Sequence, residues 1–489
     1  MDNEKKVVRI KLVKHEWPDE RRARHKRYLK TFLSLVLVAS VFAGGVFVGK
    51  NMGSATSTST VSNSKLNAIH RIMSESWYFG NSIENIGNKL LDDAIYGMTS
   101  QKEDIHTTYM DASYASQFLT SMEGSLVGIG VQYSTATDDY IILRVFKDSP
   151  AEKAGIQVGD IIRSVNGVKV EDIEDISSVV KGKVGTNVLI GVQRGGEMLG
   201  LTCTRAAVNT SANGYIVDNV GFLEILSIAE NTDEVVGEIL KDFDNKGVKK
   251  LIIDLRGNGG GYLSTIVEMG SYFLPEGSTV LMEETKDGTR YEYKVNKSIK
   301  QHKFDKIEIL IDGNTASAAE VLTIAMSELL DNVVVIGDKS YGKGTIQTTL
   351  PFSDGSMLKY TKAIWLSPKG NSINGIGITP DILVETPKAL LTATPVDFEA
   401  IGVDSVSDAC KVLQIYLEYL GYNVDRVDGY FSMNTLNALQ KFEKDYGLEI
   451  TNTLDNHVLT VVLSKVIYSN YIIDSYDFQM IKALEEINK

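Results

Sequence analysis

The stretch Ile307 to Ile311 reads as a buried strand and Ala318 to Leu330 as a helix, so the chain must pass from sheet to helix across Asn314-Thr-Ala-Ser317-Ala-Ala-Glu320. A junction that abrupt requires a helix layered on a sheet. The surrounding sequence agrees, because from about Gly214 to Pro387 it alternates the strand Gly221 to Leu226, a helix around Thr232 to Asn245 and the buried strand Leu251 to Asp254. A layered α/β core over 214–388 is therefore expected. The junction also puts Ser317 at a helix start, where unpaired backbone N–H groups and the positive end of the helix dipole can stabilise an oxyanion.

A serine hydroxyl needs a neighbouring base, either histidine or a lysine whose pKa burial has lowered. His15 and His25 precede an apolar segment, His70 and His106 lie in an N-terminal helical region, and His457 is in a C-terminal module. That leaves His302, which sits in the charged run Lys300-Gln-His-Lys303 and reads as a solvated loop residue. Lys343, in Tyr341-Gly-Lys-Gly344 after the apolar strand Val333 to Ile336, is the better base, since its glycines permit close backbone approach. Taken alone that tetrapeptide is a turn with a surface lysine; the serine motif tips the balance. Gln347 is spaced to orient the lysine amine. Leu255-Arg-Gly-Asn-Gly-Gly-Gly261 has neither a Walker lysine nor an acidic residue at dinucleotide spacing, so its backbone N–H groups read as oxyanion donors.

With 489 residues the chain is expected to hold three or four domains. A net charge of −13 argues against nucleic acid as a partner. Cys203 and Cys410 lack metal or redox spacing and read as separate buried thiols. Residues 1–30 are basic and lead into the uncharged stretch Thr31 to Gly49, long enough at ~1.5 Å per residue to approach the ~30 Å hydrocarbon core. The expectation is an N-terminal membrane helix over 31–49, single-pass in the cell membrane, with a cytoplasmic N-terminus and an extracytoplasmic remainder. A cleaved secretory signal ending near Val41-Phe-Ala43 is the competing reading. A Ser/Thr/Gly spacer, 50–63, follows.

Residues 64–120 show helical spacing and form a helical lead-in suited to packing or self-association, with a homodimer as a candidate outcome. Residues 121–206 turn to short strands, among them Gly128 to Gln132, Tyr140 to Val145, Ile161 to Val165 and Val188 to Val192. Their loop Leu126-Val-Gly-Ile-Gly130 and the run Ser149 to Gly167 resemble a PDZ domain. That resemblance implies a β-barrel-like domain that captures a protein C-terminus, with Leu126, Val127, Gly128, Ile129 and Gly130 as substrate-binding candidates. Residues 400–468, through Ala409 to Tyr422, Val427 to Phe431 and Thr435 to Phe442, resemble a peptidoglycan-binding domain; a small bundle built on Leu413, Leu417 and Leu420 for dimerisation is the alternative. Residues 469–489 are expected to be a C-terminal tail.

In this order, the PDZ segment, Asp254-Leu-Arg-Gly-Asn, the Asn314 to Glu320 motif, Gly342 to Gln347 and Gly375-Ile-Gly-Ile-Thr-Pro-Asp381 resemble the carboxy-terminal processing (tail-specific) serine peptidases. Gly259 departs from the proline or serine usual there. The resemblance implies Ser317 as nucleophile, Lys343 as base, Gln347 as its orienter, the N–H groups of Ala318 and Gly260 as oxyanion donors, and no cofactor or metal. It also implies a PDZ that gates the site. The expected whole is a multidomain α+β chain: an endopeptidase acting on envelope or membrane proteins, with peptidoglycan as a candidate partner. A non-catalytic PDZ adaptor tethering clients to the wall is the alternative.

Overall fold

A computed structural model of the protein describes residues 63–489 apart from 123, 137–138, 195–196, 396–397 and 473–476. The expected membrane segment 31–49 lies outside the described residues, and among those described no helix is long and apolar enough to cross a membrane. The chain divides into two compact units between Leu91 and Asp92. The first contains the helix Asn63–Glu75. The lead-in is not purely helical: between the helices Ile86–Thr99 and Ala112–Met122 lies strand β1, Thr108–Met110. It pairs antiparallel with the strand Met357–Leu366, Thr108 opposite Lys359. Helical spacing cannot reveal a three-residue strand whose partner is so distant in sequence.

The PDZ segment comprises β2 (Ser125–Gly128), β3 (Val131–Tyr133), β4 (Tyr140–Val145), β5 (Ile161–Val165), β6 (Val168–Lys169), β7 (Asn187–Arg194), β8 (Glu197–Thr204) and β9 (Ala206–Asn209). One sheet runs β3-β4-β5-β7-β8, with β6 on β5, and β2 pairs separately with β9. The single strand expected over 128–132 is therefore broken. At the break Gly130 has φ +79°, and a Cβ there would lie 2.4 Å from that of Ser149. Inward residues Ile142, Ile162, Val165, Ile190 and Val192 make the core of this domain.

The main sheet is built from β10 (Ala212–Val217), β11 (Val220–Ile225), β12 (Lys250–Asp254), β15 (Lys306–Ile311), β16 (Val333–Gly337) and β19 (Ile382–Leu383), in that order. Only the β10–β11 pair is antiparallel. Parallel strands must be covered on both faces, which is why these read as near-continuous apolar runs. Leu223, Ile253, Ile309 and Val335 face the helices Thr232–Asn245, Leu263–Ser271 and Ala318–Leu329. A second sheet takes β1, β13 (Thr279–Thr285), β14 (Arg290–Lys294), β17 (Thr345–Pro351) and β18 (Met357–Leu366), with β18 pairing with β1, β13 and β17. The C-terminal module packs helices Asp408–Tyr419, Met433–Asp445 and Asn456–Ile472 around Leu413, Leu417, Phe431, Leu439 and Phe442.

The expected C-terminal tail is instead a helix, Phe478–Ile487, that belongs to the main domain. Its Met480, Ala483 and Ile487 share one stripe and cover Val220, Phe222, Ile252, Leu310 and Ile336 on the opposite face of the main sheet. At its start Asp477 pairs in bidentate fashion with Arg256 (2.7 and 2.9 Å), which also holds Asp254 at 2.6 Å. Lys306 Nζ donates to the Glu486 carbonyl at its other end. An isolated amphipathic helix of this length has no stability of its own, so the sheet supplies it.

Beneath this helix, Glu308 is fully buried with neither carboxylate oxygen hydrogen-bonded. Lys306 Nζ stands 3.7 Å away. Burial pushes the Glu308 pKa up to about 7. A folded value above the unfolded one means that stability is lost as pH rises from about 4.5 to about 7, by on the order of 2 kcal/mol. Glu308→Gln is expected to flatten this dependence, so that its melting temperature changes less than that of the wild type between pH 5 and pH 8. Parallel wild-type and variant curves would refute the assignment.

Candidate active site

Ser317 lies at the end of the turn that follows β15, with φ 56° and ψ −121°. A non-glycine residue at positive φ is strained and persists only where its surroundings hold it. Here they are specific. Ala316 N–H donates to the Asn258 carbonyl at 2.9 Å, and Thr315 Oγ1 to that of Leu255 at 2.9 Å. Asp312 Oδ1 accepts from the N–H groups of Gly257, Asn314 and Thr315, each at 3.0 Å. The serine turn and the glycine-rich loop after β12 are thus stitched together.

Glu320 completes the assembly. Its fully buried carboxylate accepts four hydrogen bonds. Oε2 takes the N–H groups of Ser317 (2.8 Å) and Lys343 (2.9 Å). Oε1 takes Ser340 Oγ (2.6 Å) and Gly342 N–H (2.7 Å). One oxygen therefore bridges the backbones of the candidate nucleophile and base. On its other side the Lys343 carbonyl accepts from the Trp365 indole at 2.9 Å. Gly342 (φ +86°) admits the neighbouring loop, for a Cβ there would stand 2.6 Å from Gly377 N.

The Lys343 side chain is half-buried. Burial first, and then the charge of Lys359, hold its pKa below the usual lysine value, against the pull of Glu320 and Asp104. No hydrogen bond joins its Nζ to Ser317 Oγ in this state, and catalytic contacts commonly tighten only with substrate present. Gln347 Nε2 donates to Thr345 Oγ1 (2.8 Å) and Thr361 Oγ1 (3.1 Å), so its amide nitrogen is turned to threonines rather than to the lysine.

Two expectations need correction. Gly260 N–H is already donated to Asn258 Oδ1 at 2.8 Å, so it is not a free oxyanion donor here. What Gly260 contributes is space: at φ +92° a Cβ would lie 2.8 Å from Ala318 N and 2.8 Å from Ser317 Cβ. Among the described residues, Ala318 N–H has no backbone or side-chain acceptor, as the first residue of a helix would not. His302 is not solvated but buried, its Nδ1 2.9 Å from Asp244 Oδ2, with burial lowering its pKa. It serves the end of the helix Thr232–Asn245, away from the serine turn. Conversely His106, assigned no role from sequence, is close enough to Lys343 for that charge, after burial, to lower its pKa.

Leu126, Val127 and Gly128 lie in β2, paired with β9, and Ile129 and Gly130 lead into β3, the edge of the PDZ sheet. The carbonyls of Ile129 and Gly130 accept from Ala151 and Phe146. Arg144 of β4 donates to Gln132 Oε1 on that edge and to Glu224 of β11, at 2.5 and 3.1 Å.

Glu320 was legible only as a capping-box spacing, Ser-x-x-Glu; its reach to Gly342 and Lys343 is tertiary. Glu320→Gln turns an amide NH₂ toward hydrogen-bond donors and leaves buried N–H groups unpaired, at a cost of about 2–4 kcal/mol. It is expected to lower both the melting temperature and kcat/KM, the latter by at least about tenfold. Unchanged peptidase activity would show that Glu320 does not fix the serine and lysine backbones.

Three family models match the chain: peptidase family S41 over residues 219–384, a PDZ domain over 141–194 and a putative peptidoglycan binding domain over 407–461. A probable CtpA-like serine protease from Staphylococcus epidermidis is 31% identical over 435 residues, covering 88% of this chain and 87% of that one. A namesake from Staphylococcus aureus is 30% identical over 460 residues, covering 92% and 91%. Among solved structures, the photosystem II D1 C-terminal processing protease aligns over 68% of this chain and 94% of its own, at 24% identity and a TM-score of 0.40. Identity sustained along nearly the whole of the curated relatives decides the matter: the chain belongs to the CtpA-like serine peptidases of family S41.

Proposed function

We propose that this peptidase is a membrane-anchored endopeptidase that captures the C-terminus of a protein substrate at its PDZ domain and cleaves nearby by a serine–lysine mechanism. The observation that carries this reading is Glu320 Oε2, which accepts from both the Ser317 and the Lys343 amides. Lys343, neutral in the active state, takes the Ser317 hydroxyl proton as Oγ attacks the peptide carbonyl. Ala318 N–H receives the oxyanion, and Gly260 leaves it room. The ammonium then protonates the leaving amine, and water resolves the acyl-enzyme with Lys343 again as base. Gln347 orients the lysine.

Residues 31–49 with their basic flank support the anchor and an extracytoplasmic site. The match to a peptidoglycan binding model supports a wall contact for the C-terminal module. Exposed Leu66, Ile69 and Ile72 support self-association through the first helix. The open edge of β3 suits an added peptide strand, with Leu126 to Gly130 around its carboxylate. Arg144, which ties that edge to Glu224, gives gating by the PDZ a physical route.

Ser317→Ala and Lys343→Ala are each expected to abolish cleavage of an unstructured protein. Retained cleavage in either would overturn the serine–lysine assignment. Matched peptides with free and amidated C-termini should differ in kcat/KM, and equal values would remove the PDZ from substrate capture. The pH profile should rise through a base whose pKa lies below the usual lysine value of 10.5. A profile that keeps rising to that value would contradict a buried, charge-repelled Lys343.

A further inference from the structure

We propose that Asp104 and Thr107, in the segment before the PDZ domain, are positioning residues that fix which end of the Gln347 amide faces Lys343. The inference rests on the serine–lysine reading above and adds residues that lie outside the matched peptidase region, 219–384.

The β17–β18 ladder is irregular beside the site. Ile346 pairs with Ala363, but Gln347 pairs with Thr361, so Lys362 is the extra residue of a bulge. A bulge re-aims the side chains next to it and leaves a ladder N–H to be satisfied elsewhere. Here the Thr361 N–H donates to Thr107 Oγ1 at 3.0 Å. The Thr107 hydroxyl donates in turn to Asp104 Oδ2, while Asp104 Oδ1 accepts His106 N–H at 3.0 Å.

The direction of this chain follows from Asp104. An ionised carboxylate only accepts, so the Thr107 proton must point toward it, and the Thr107 lone pairs are left for Thr361. Although burial opposes it, hydrogen bonds from Thr107, His106 and Thr361 hold the Asp104 carboxyl below its usual range, which keeps the acceptor charged. The Thr361 hydroxyl bonds the same carboxylate, so its proton is spent there and Oγ1 offers a lone pair to Gln347 Nε2 at 3.1 Å, while Thr345 Oγ1 takes the other amide hydrogen at 2.8 Å. With both N–H bonds engaged, Oε1 is the end left to accept from the Lys343 amine. An amide free to flip would present N–H donors to that amine in half of its orientations and could not orient its lone pair. β1, directly after Thr107, secures the segment by pairing Thr108 with Lys359.

The test uses steady-state cleavage of an unstructured peptide with a free C-terminus by the full chain and its Thr107→Val, Thr107→Ser, Gln347→Ala and Thr107→Val/Gln347→Ala variants, with Ser317→Ala as control. Thr107→Val is expected to lower kcat about tenfold with KM within about twofold. Thr107→Ser, which keeps the hydroxyl, should recover most of the loss. Adding Thr107→Val to Gln347→Ala should change nothing further, because the two act through one contact. A Thr107→Val enzyme like the wild type, or one that loses the same factor with and without Gln347, overturns the inference while the serine–lysine reading stands. A Ser317→Ala enzyme that still cleaves overturns both. If Thr107→Val does not fold, Asp104→Asn replaces it in the same comparison, since an asparagine amide no longer obliges the Thr107 and Thr361 hydroxyls to donate toward it.

Discussion

The Glu320 carboxylate is the interaction on which the site depends. Ser317 sits at a backbone conformation that its own residue type disfavours, and Lys343 comes from a loop reached only after another helix and strand. Neither position is stable by local rules. A buried carboxylate without partners would be costly, and four donors converging on one is the arrangement that repays its desolvation. Three of the four are backbone N–H groups, so the requirement falls on the path of the chain and only weakly on side-chain identity.

Around that centre the domain closes on itself from both ends of the sequence. β1 precedes the PDZ segment yet pairs with β18, and the last helix follows the C-terminal module yet covers the main sheet. Both modules are therefore insertions between elements of one domain. The Arg256 pair with Asp477 ties the last helix to the start of the glycine-rich loop, and Asp312 ties that loop to the serine turn. Charge-assisted, partly buried contacts of this kind hold geometry more than they add net stability. Glu308, without a hydrogen bond under the same helix and with Lys306 Nζ 3.7 Å away, marks where the covering is least favourable.

Much of the architecture could be read from sequence because its signals are short-range. The apolar runs of β11, β12, β15 and β16, the strand-to-helix junction at Ser317 and the PDZ run from Ser149 to Gly167 each carry their own pattern within a few residues. Lys343 could be singled out because its flanking glycines and the apolar strand before it are local features too. The reading failed where a partner lay far along the chain. β1 is too short to be periodic, His302 is buried by Asp244 and Tyr272, and the last helix looks like a tail until the sheet it covers is known.

The amino-acid sequence alone determined the chemistry on offer: a serine at a helix start, a lysine between glycines, a glutamine four residues on and a PDZ module before them. Residue type and local spacing suffice for that, since propensity, periodicity and turn chemistry act within a few residues. The tertiary structure decided which groups are free and which are spent. Gly260 N–H is committed to Asn258, Gln347 Nε2 to two threonines, and Glu320 to the serine and lysine amides. Hydrogen-bond partnership between segments far apart in sequence depends on angstrom-scale proximity, and only the packed chain supplies it.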